Sequence, residues 1–317
     1  MNTATKLGAY VAALAVVFGG AAAIGTAAGP VGKADEGGHG GHGSHGSRGG
    51  TAAGAAVPGG LQVSQGGYTL HPRTTDVRPG VRTDFRFTID GPDGRPVTRF
   101  TPLHGKRLHL IIARRDLSGF QHLHPTEVGG GVWEVAVVLP KAGAYRFFTD
   151  VQPEGAKEAL TLGVDVAAAG DFQPVPLPRP EQVAKVDGYE VRLAGALAPG
   201  RSSKLTLSVS KDGKPVTDLE PYLEAYGHLV ALRQGDLAYL HVHPDGEPGD
   251  GKTEPGPDVT FYAEAPSAGT YRLYLDFQHG GKVRTAEFTV TAGPSPAPVQ
   301  EGGQGEPQDE GHGEHTH

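Results

Sequence analysis

Between residues 61 and 292 apolar and polar positions alternate in short runs cut by turn formers, the period-two pattern of strands that bury one face. "DFRFTID" sets Phe85, Phe87 and Ile89 on one side and runs into "GPDG"; "VWEVAVVL" does the same with Trp133, Val135, Val137 and Leu139 before "PKAG". "LHLIIAR", followed by "RDLSG", is a third run of strand length. Strands and turns at this spacing predict an antiparallel β-sandwich.

The pattern then repeats. "PVTRFTPLHGKRLHLIIARRDLSGFQHLHP" at 96–125 aligns without a gap to "PVTDLEPYLEAYGHLVALRQGDLAYLHVHP" at 215–244, an offset of 119. "AGAYRFFTDV" at 142–151 matches "AGTYRLYLDF" at 268–277 at an offset of 126, and the extra residues fall in the turn-rich stretch "DGEPGDGKTEPGP" after Pro244. Leu205, Leu207 and Val209, then Val259, Phe261 and Ala263, stand in the second copy as buried faces. The expected fold is therefore all-β: two tandem Ig-like antiparallel β-sandwiches of about seven strands, one over 61–167 and one over 186–292. Residues 168–185, with "DFQPVPLPRPEQ", read as a stiff Pro-rich linker.

Both ends depart from this pattern. Leu7 to Ala28 is an uncharged apolar run of 22 residues after Lys6. As a helix it is about 33 Å long, enough to cross a hydrocarbon core of about 30 Å. Residues 1–29 are therefore expected to be an uncleaved transmembrane anchor, with a signal peptide cleaved near "AAA" or "TAA" as the alternative. Either puts the remainder outside the cytoplasm, at the cell membrane or secreted. Residues 30–60 and 293–317 are rich in Gly, His or acidic residues, carry few bulky apolar side chains, and are expected to be disordered.

Composition narrows the chemistry. The formal charge of −7 comes largely from the tail, so there is no nucleic-acid footprint. There is no Cys and the one Met is residue 1, which removes disulfides, thiolate sites and thioether Cu(I) sites. Fifteen His remain as ligands suited to Cu(II) or Zn(II).

The repeated "HLHP" and "HVHP" place those ligands. "LHLIIAR" and "FQHLHP" flank a short turn and should form a hairpin, with His122 and His124 on one face. If opposed residue numbers sum to an odd value near 233, His109 joins them. The second copy would repeat the trio with His228, His241 and His243. Asp150 and Asp276, equivalent in "YRFFTDV" and "YRLYLDF", are candidate fourth ligands, and His279 is a further candidate in copy two. The plainer alternative is that these are satisfied structural groups inherited by both copies. His39, His42, His45, His312, His315 and His317 read as weaker metal-collecting tracts. His71 lies outside the repeated motif.

"GEPGDGKT" at 246–253 fits a phosphate-loop pattern, but Pro248 and the following "EPGPD" preclude the helix such a loop requires. No nucleophile elbow or H-E-x-x-H motif is present, and an enzyme is not expected.

The segment "LHLIIARRDLSGFQHLHP" resembles bacterial extracytoplasmic β-sandwich modules of the YtkA-like kind, associated with copper or heavy-metal handling. The resemblance covers mainly 96–151 and 215–277. It implies an Ig-like or cupredoxin-like sandwich and ligand roles for His109, His122, His124 and their second-copy equivalents. The expected function is a membrane-anchored, extracytoplasmic protein that binds a divalent transition metal, foremost copper, for buffering, storage or transfer. Its partners would be the metal ion and a metal transporter or other envelope protein. The alternative is a non-catalytic structural or protein-interaction module of the cell envelope with no folded metal site.

Overall fold

The structure is a computed structural model and describes residues 57–293. The apolar run 7–28, the His-rich tract 38–50 and the tail from 294 lie outside the described residues. Every regular element in the described part is a strand, and among the described residues no helix is long and apolar enough to cross a membrane.

Ten strands build the first copy: β1 (Ser64–Gln65), β2 (Tyr68–Pro72), β3 (Arg82–Asp90), β4 (Phe100–Thr101), β5 (His109–Arg114), β6 (Gln121–Leu123), β7 (Thr126–Gly129), β8 (Val132–Val138), β9 (Gly143–Pro153) and β10 (Leu160–Ala168). Nine build the second: β11 (Val183–Val186), β12 (Tyr189–Ala194), β13 (Ser202–Lys211), β14 (Lys214–Pro215), β15 (His228–Arg233), β16 (His241–Pro244), β17 (Asp258–Glu264), β18 (Gly269–His279) and β19 (Lys282–Ala292). All ladder pairings between them are antiparallel.

In copy one, the sheet β1-β2-β3-β8-β7 faces the sheet β10-β9-β5-β6; in copy two, β11-β12-β13-β17-β16 faces β15-β18-β19. Two antiparallel sheets packed face to face in this way make an immunoglobulin-like sandwich of each copy. A second mark of that fold recurs in each copy. The Tyr145 hydroxyl, at the start of β9, donates to the Lys141 carbonyl at 2.8 Å, and Tyr271, at the start of β18, donates to Ser267 at 2.7 Å. The alternating residues read from the sequence fill the two cores: Phe85, Phe87, Ile89, Trp133 and Val137 in one, Leu205, Leu207, Val209 and Phe261 in the other.

A third apolar cluster joins the copies. β5 and β15 are nearly all apolar, and both of their faces are covered. Leu110 and Ile112 point into the first core, while Ile111 and Ala113 meet Val230 and Leu232 of β15 across a seam that also buries Leu117, Phe148, Leu237 and Tyr274. Equivalent residues meet by exchange. Phe120 stacks on Tyr274 with ring centroids 3.9 Å apart, and their counterparts Tyr239 and Phe148 lie 5.7 Å apart. The Tyr274 hydroxyl also donates to the Leu117 carbonyl at 2.6 Å. Gly60 lies against the seam at φ +73°, where a Cβ would stand 2.4 Å from the Phe148 ring, so glycine answers both a backbone and a space requirement.

The segment between the copies carries no strand but is fastened down. The Val175 amide donates to the Asp116 carboxylate at 2.7 Å, the Arg114 guanidinium lies over the Phe172 ring, and Leu177 packs on the seam.

The copies diverge in one element. β6 forms the expected hairpin with β5, with Leu110 opposite Leu123 and Ile111 opposite His122, pairs whose numbers total 233. In copy two the hairpin begins alike, with a bridge from Leu232 to Tyr239, and then the chain leaves. β16 crosses to the other sheet and pairs with β17, His241 opposite Glu264 and His243 opposite Tyr262. In copy one that edge is taken by β7. In copy two the corresponding stretch holds Pro248, Pro255 and Pro257 and cannot supply a ladder of N–H donors, so "HVHP" fills the edge instead. The expected second hairpin trio of His228, His241 and His243 is therefore not formed as a hairpin face.

Shortening Tyr274 should separate the seam's two contributions. Tyr274→Phe removes one hydrogen bond and should cost about 1 kcal/mol. Tyr274→Ala also empties the stack with Phe120 and should cost about 3–5 kcal/mol. Urea unfolding of the two variants checks the difference.

Candidate metal centre

The first strand of the seam opens with His109 and its counterpart β15 opens with His228. Because the two outer faces meet, the two rings do too, stacked at 5.7 Å between centroids with 12° between planes. The β5–β6 register brings His122 to 5.4 Å and His124 to 5.0 Å from His109, centroid to centroid. His122 and His228 are 4.8 Å apart. His104, in the turn before β5, comes within 5.4 Å of His228. Five imidazoles from two copies thus form one cluster. In it, His109, His122 and His228 each offer a nitrogen within 4.8 Å of the others.

Hydrogen bonds at the rim decide which nitrogens face inward. His109 Nε2 lies 2.8 Å from the Leu103 carbonyl oxygen. A carbonyl only accepts, so Nε2 carries the hydrogen and Nδ1 is left as a lone-pair acceptor. His122 Nδ1 lies 2.8 Å from Asp276 Oδ2, and both side chains are almost fully buried. This ring donates through Nδ1 and turns Nε2 inward. Those two inward nitrogens, His109 Nδ1 and His122 Nε2, are 3.1 Å apart. His228 Nδ1 is buried and has no hydrogen-bond partner, and neither has His124 Nε2.

Burial disfavours a proton on His109, His124 and His228. It holds His109 down to about 4, with the charges of His122 and His104 adding to the effect against the pull of the Leu103 carbonyl. It takes His124 to about 3, again with His122 and His109 contributing, and it sets His228 well below the ordinary imidazole value. Nearby, burial and the Asp276 charge push Tyr222 up to about 12.

The two aspartates stand where the strand pairing requires, Asp150 opposite His109 and Asp276 opposite His228. Each is held by a threonine of the next strand, Asp150 by Thr161 at 2.5 Å and Asp276 by Thr285 at 2.6 Å. Asp276 reaches across the seam to His122. Asp150 also accepts from Tyr239, and burial raises its carboxyl above the ordinary range. With His104, His109, His228 and His243, Asp150 lines a cavity of about 830 Å³ between the copies. His279 points away from the cluster, bonded through Nδ1 to the Tyr189 hydroxyl at 2.7 Å and through Nε2 to Asp218 at 3.1 Å. The His241 side chain is outside what the structure describes. His71 lies apart, beside Asp90 at 3.5 Å.

Sequence reasoning did not foresee that the two copies share one cluster, nor the roles of His104, Leu103 and Tyr239. The available signal was the lack of alternation in "LHLIIAR" and "HLVALR", which announces strands covered on both faces.

No curated protein matches the chain. Among solved structures it is similar to the Escherichia coli adhesin FdeC (16% identity, TM-score 0.23, covering 73% of this chain and 65% of that one). It is also similar to Yersinia pseudotuberculosis InvD (13%, TM-score 0.24, 77% and 62%) and to trypsin-activated Escherichia coli alpha-2-macroglobulin (13%, TM-score 0.24, 74% and 16%). The chain spans less than two thirds of each of those chains. No YtkA-like or metal-associated family is found, so that resemblance remains one of the quoted motif alone. A family model matches residues 62–168 and again 184–293, and the chain accordingly belongs, in two tandem copies, to the family described as Domain of unknown function (DUF8832).

Proposed function

We propose that the protein is a non-catalytic, extracytoplasmic module of two β-sandwiches that holds one divalent transition-metal ion, Cu(II) or Zn(II), at the seam between them. His109 Nδ1, His122 Nε2 and a nitrogen of His228 are the donors. The observation that carries this reading is the pair of inward nitrogens 3.1 Å apart, each on a ring whose outer nitrogen gives its hydrogen to the acceptor behind it. Two lone pairs at that distance repel unless a proton or a cation lies between. Donors at about 2.0–2.1 Å from a tetrahedral ion stand about 3.3 Å apart, close to the spacing seen. The outer partners support the same reading, because metal-binding imidazoles commonly give their other N–H to a carbonyl or a carboxylate. Leu103 and Asp276 supply one of each. Asp276 is then a positioning group and not a ligand, and the chain takes one folded-site ion instead of two. The apolar run at 7–28 supports the extracytoplasmic location.

The second reading fills the gap with a proton. His122 becomes an imidazolium paired with Asp276 inside the seam, His109 accepts from it, and the protein is an envelope interaction module without metal. The observation that favours it is the complete burial of the His122–Asp276 pair, a self-sufficient ion pair if His122 is charged.

The two readings part on metal content. The full chain, dialysed with Zn(II) against a weak chelator to strip the terminal His tracts, should retain one ion more than the His109→Gln/His122→Gln variant. Equal content in the two proteins removes the metal reading. Asp276→Asn should weaken binding about 10–100-fold without abolishing it.

Acid should destabilise the metal-free protein. The folded-state values of His109 and His124, about 4 and about 3, lie below the ordinary imidazole value of 6.5. Between those limits the unfolded chain binds more protons, so stability falls as pH drops through 6.5 and levels off only below about 3–4. Urea midpoints from pH 7.5 to 4.5, taken with a chelator present, should fall steadily. A flat profile would mean that these rings are not buried and neutral.

A further inference from the structure

The three donor nitrogens do not belong to one domain. His109 and His122 stand on β5 and β6 of the first copy and His228 on β15 of the second, with the segment 169–182 between them in the chain. The outer partners are divided as well: the Leu103 carbonyl that holds His109 is in the same copy, whereas the Asp276 carboxylate that orients His122 comes from the other. Neither copy can present the cluster alone. What otherwise joins the copies is the apolar patch of Ile111, Ala113, Phe148, Val230, Leu232 and Tyr274 with its few neighbours, smaller than either sandwich core, and hydrogen bonds across it such as Tyr274 to Leu117 and Tyr239 to Asp150.

We infer that the metal is a clasp on this seam, so that the two homologous faces form a metal-gated interaction surface. The inference rests on the metal reading above. An ion that binds the docked arrangement and not the separated one must favour docking by mass action. Filling the site closes the seam. Emptying it leaves docking to the apolar patch and the hydrogen bonds across it, beside two buried imidazole nitrogens, His228 Nδ1 and His124 Nε2, that have no hydrogen-bond partner, and a cavity of about 830 Å³. Separation bares Ile111 and Phe148 on one copy and Val230 and Tyr274 on the other. Each face then fits the homologous face of the same chain.

The absence of cysteine makes the test direct. Val81 in copy one and Val283 in copy two are exposed, so Val81→Cys/Val283→Cys in the full chain gives two unique spin-label sites. Distance distributions are measured by pulsed electron resonance with chelator and then with Zn(II), which is diamagnetic. The metal-free protein should show a broad distribution with a long-distance component. At Zn(II) 100-fold above the dissociation constant the docked-to-separated ratio should rise about 100-fold, leaving one narrow peak. His228→Asn removes a donor from the second copy only, and the long-distance component should then persist in Zn(II). Its near-ultraviolet signal from the buried Trp133 reports whether the first sandwich is still folded. If the distribution is the same with and without Zn(II), while the His109→Gln/His122→Gln variant still loses one ion, the clasp is overturned and the metal site stands. If that variant loses no ion, both fall.

Discussion

The whole arrangement depends on the burial of a second face on β5 and β15. A sandwich strand ordinarily buries one face and wets the other, and these two strands carry apolar side chains on both. Leaving Ile111, Phe148, Val230 and Tyr274 in water would forgo about 1.5–3 kcal/mol for each. Packing the two faces together recovers it. The copies therefore meet through equivalent strands, related by an approximate twofold exchange that pairs Phe120 with Tyr274 and Tyr239 with Phe148. His109 and His228 are equivalent residues at the open end of those strands. Once the faces pack, their imidazoles are forced into contact.

That contact would be an ordinary polar network but for what stands behind each ring. A lone imidazole pair settles by one ring donating to the other. Here the donor hydrogens of His109 and His122 are already committed outward, to an oxygen of Leu103 that can only accept and to a carboxylate. The network is one positive charge short, and burial of His109, His124 and His228 opposes supplying that charge by protonating them. The same low-polarity surroundings that disfavour a proton on these rings strengthen the attraction of a cation held by all of them.

The sequence carried most of the fold and about half of the cluster. Strand periodicity and the turn "RDLSG" were enough to put His122 and His124 on one face, with His109 joining them for an odd register near 233, the register that the hairpin adopts. The usual neighbourhood of strands in a sandwich was what set Asp150 and Asp276, equivalent in "YRFFTDV" and "YRLYLDF", beside the strands that begin with His109 and His228. The union of the copies was not legible in the same way. It depends on side chains far apart in the chain, such as Phe148 with Tyr239 and Phe120 with Tyr274, meeting across a seam, and no local period encodes which covered face meets which. The departure of β16 was hidden for a different reason. "FQHLHP" and "YLHVHP" match almost residue for residue, and the strand that follows them decides the outcome.

That departure explains why duplicated motifs yield one compact cluster. Around the approximate twofold axis, the side occupied by His122, His124 and Asp276 is closed, because β6 stays on the seam sheet and presses its imidazoles against His109 and His228. On the opposite side, β16 is drawn away to satisfy the free edge of β17, and the place where a second set would have closed is the cavity lined by His104, His243, Asp150 and Tyr239. A stretch of prolines and glycines after Pro244 thereby sets the asymmetry of the site. Backbone hydrogen bonding at a sheet edge outweighed side-chain likeness, as expected when each unpaired buried N–H or C=O costs as much as a well-made side-chain contact gains.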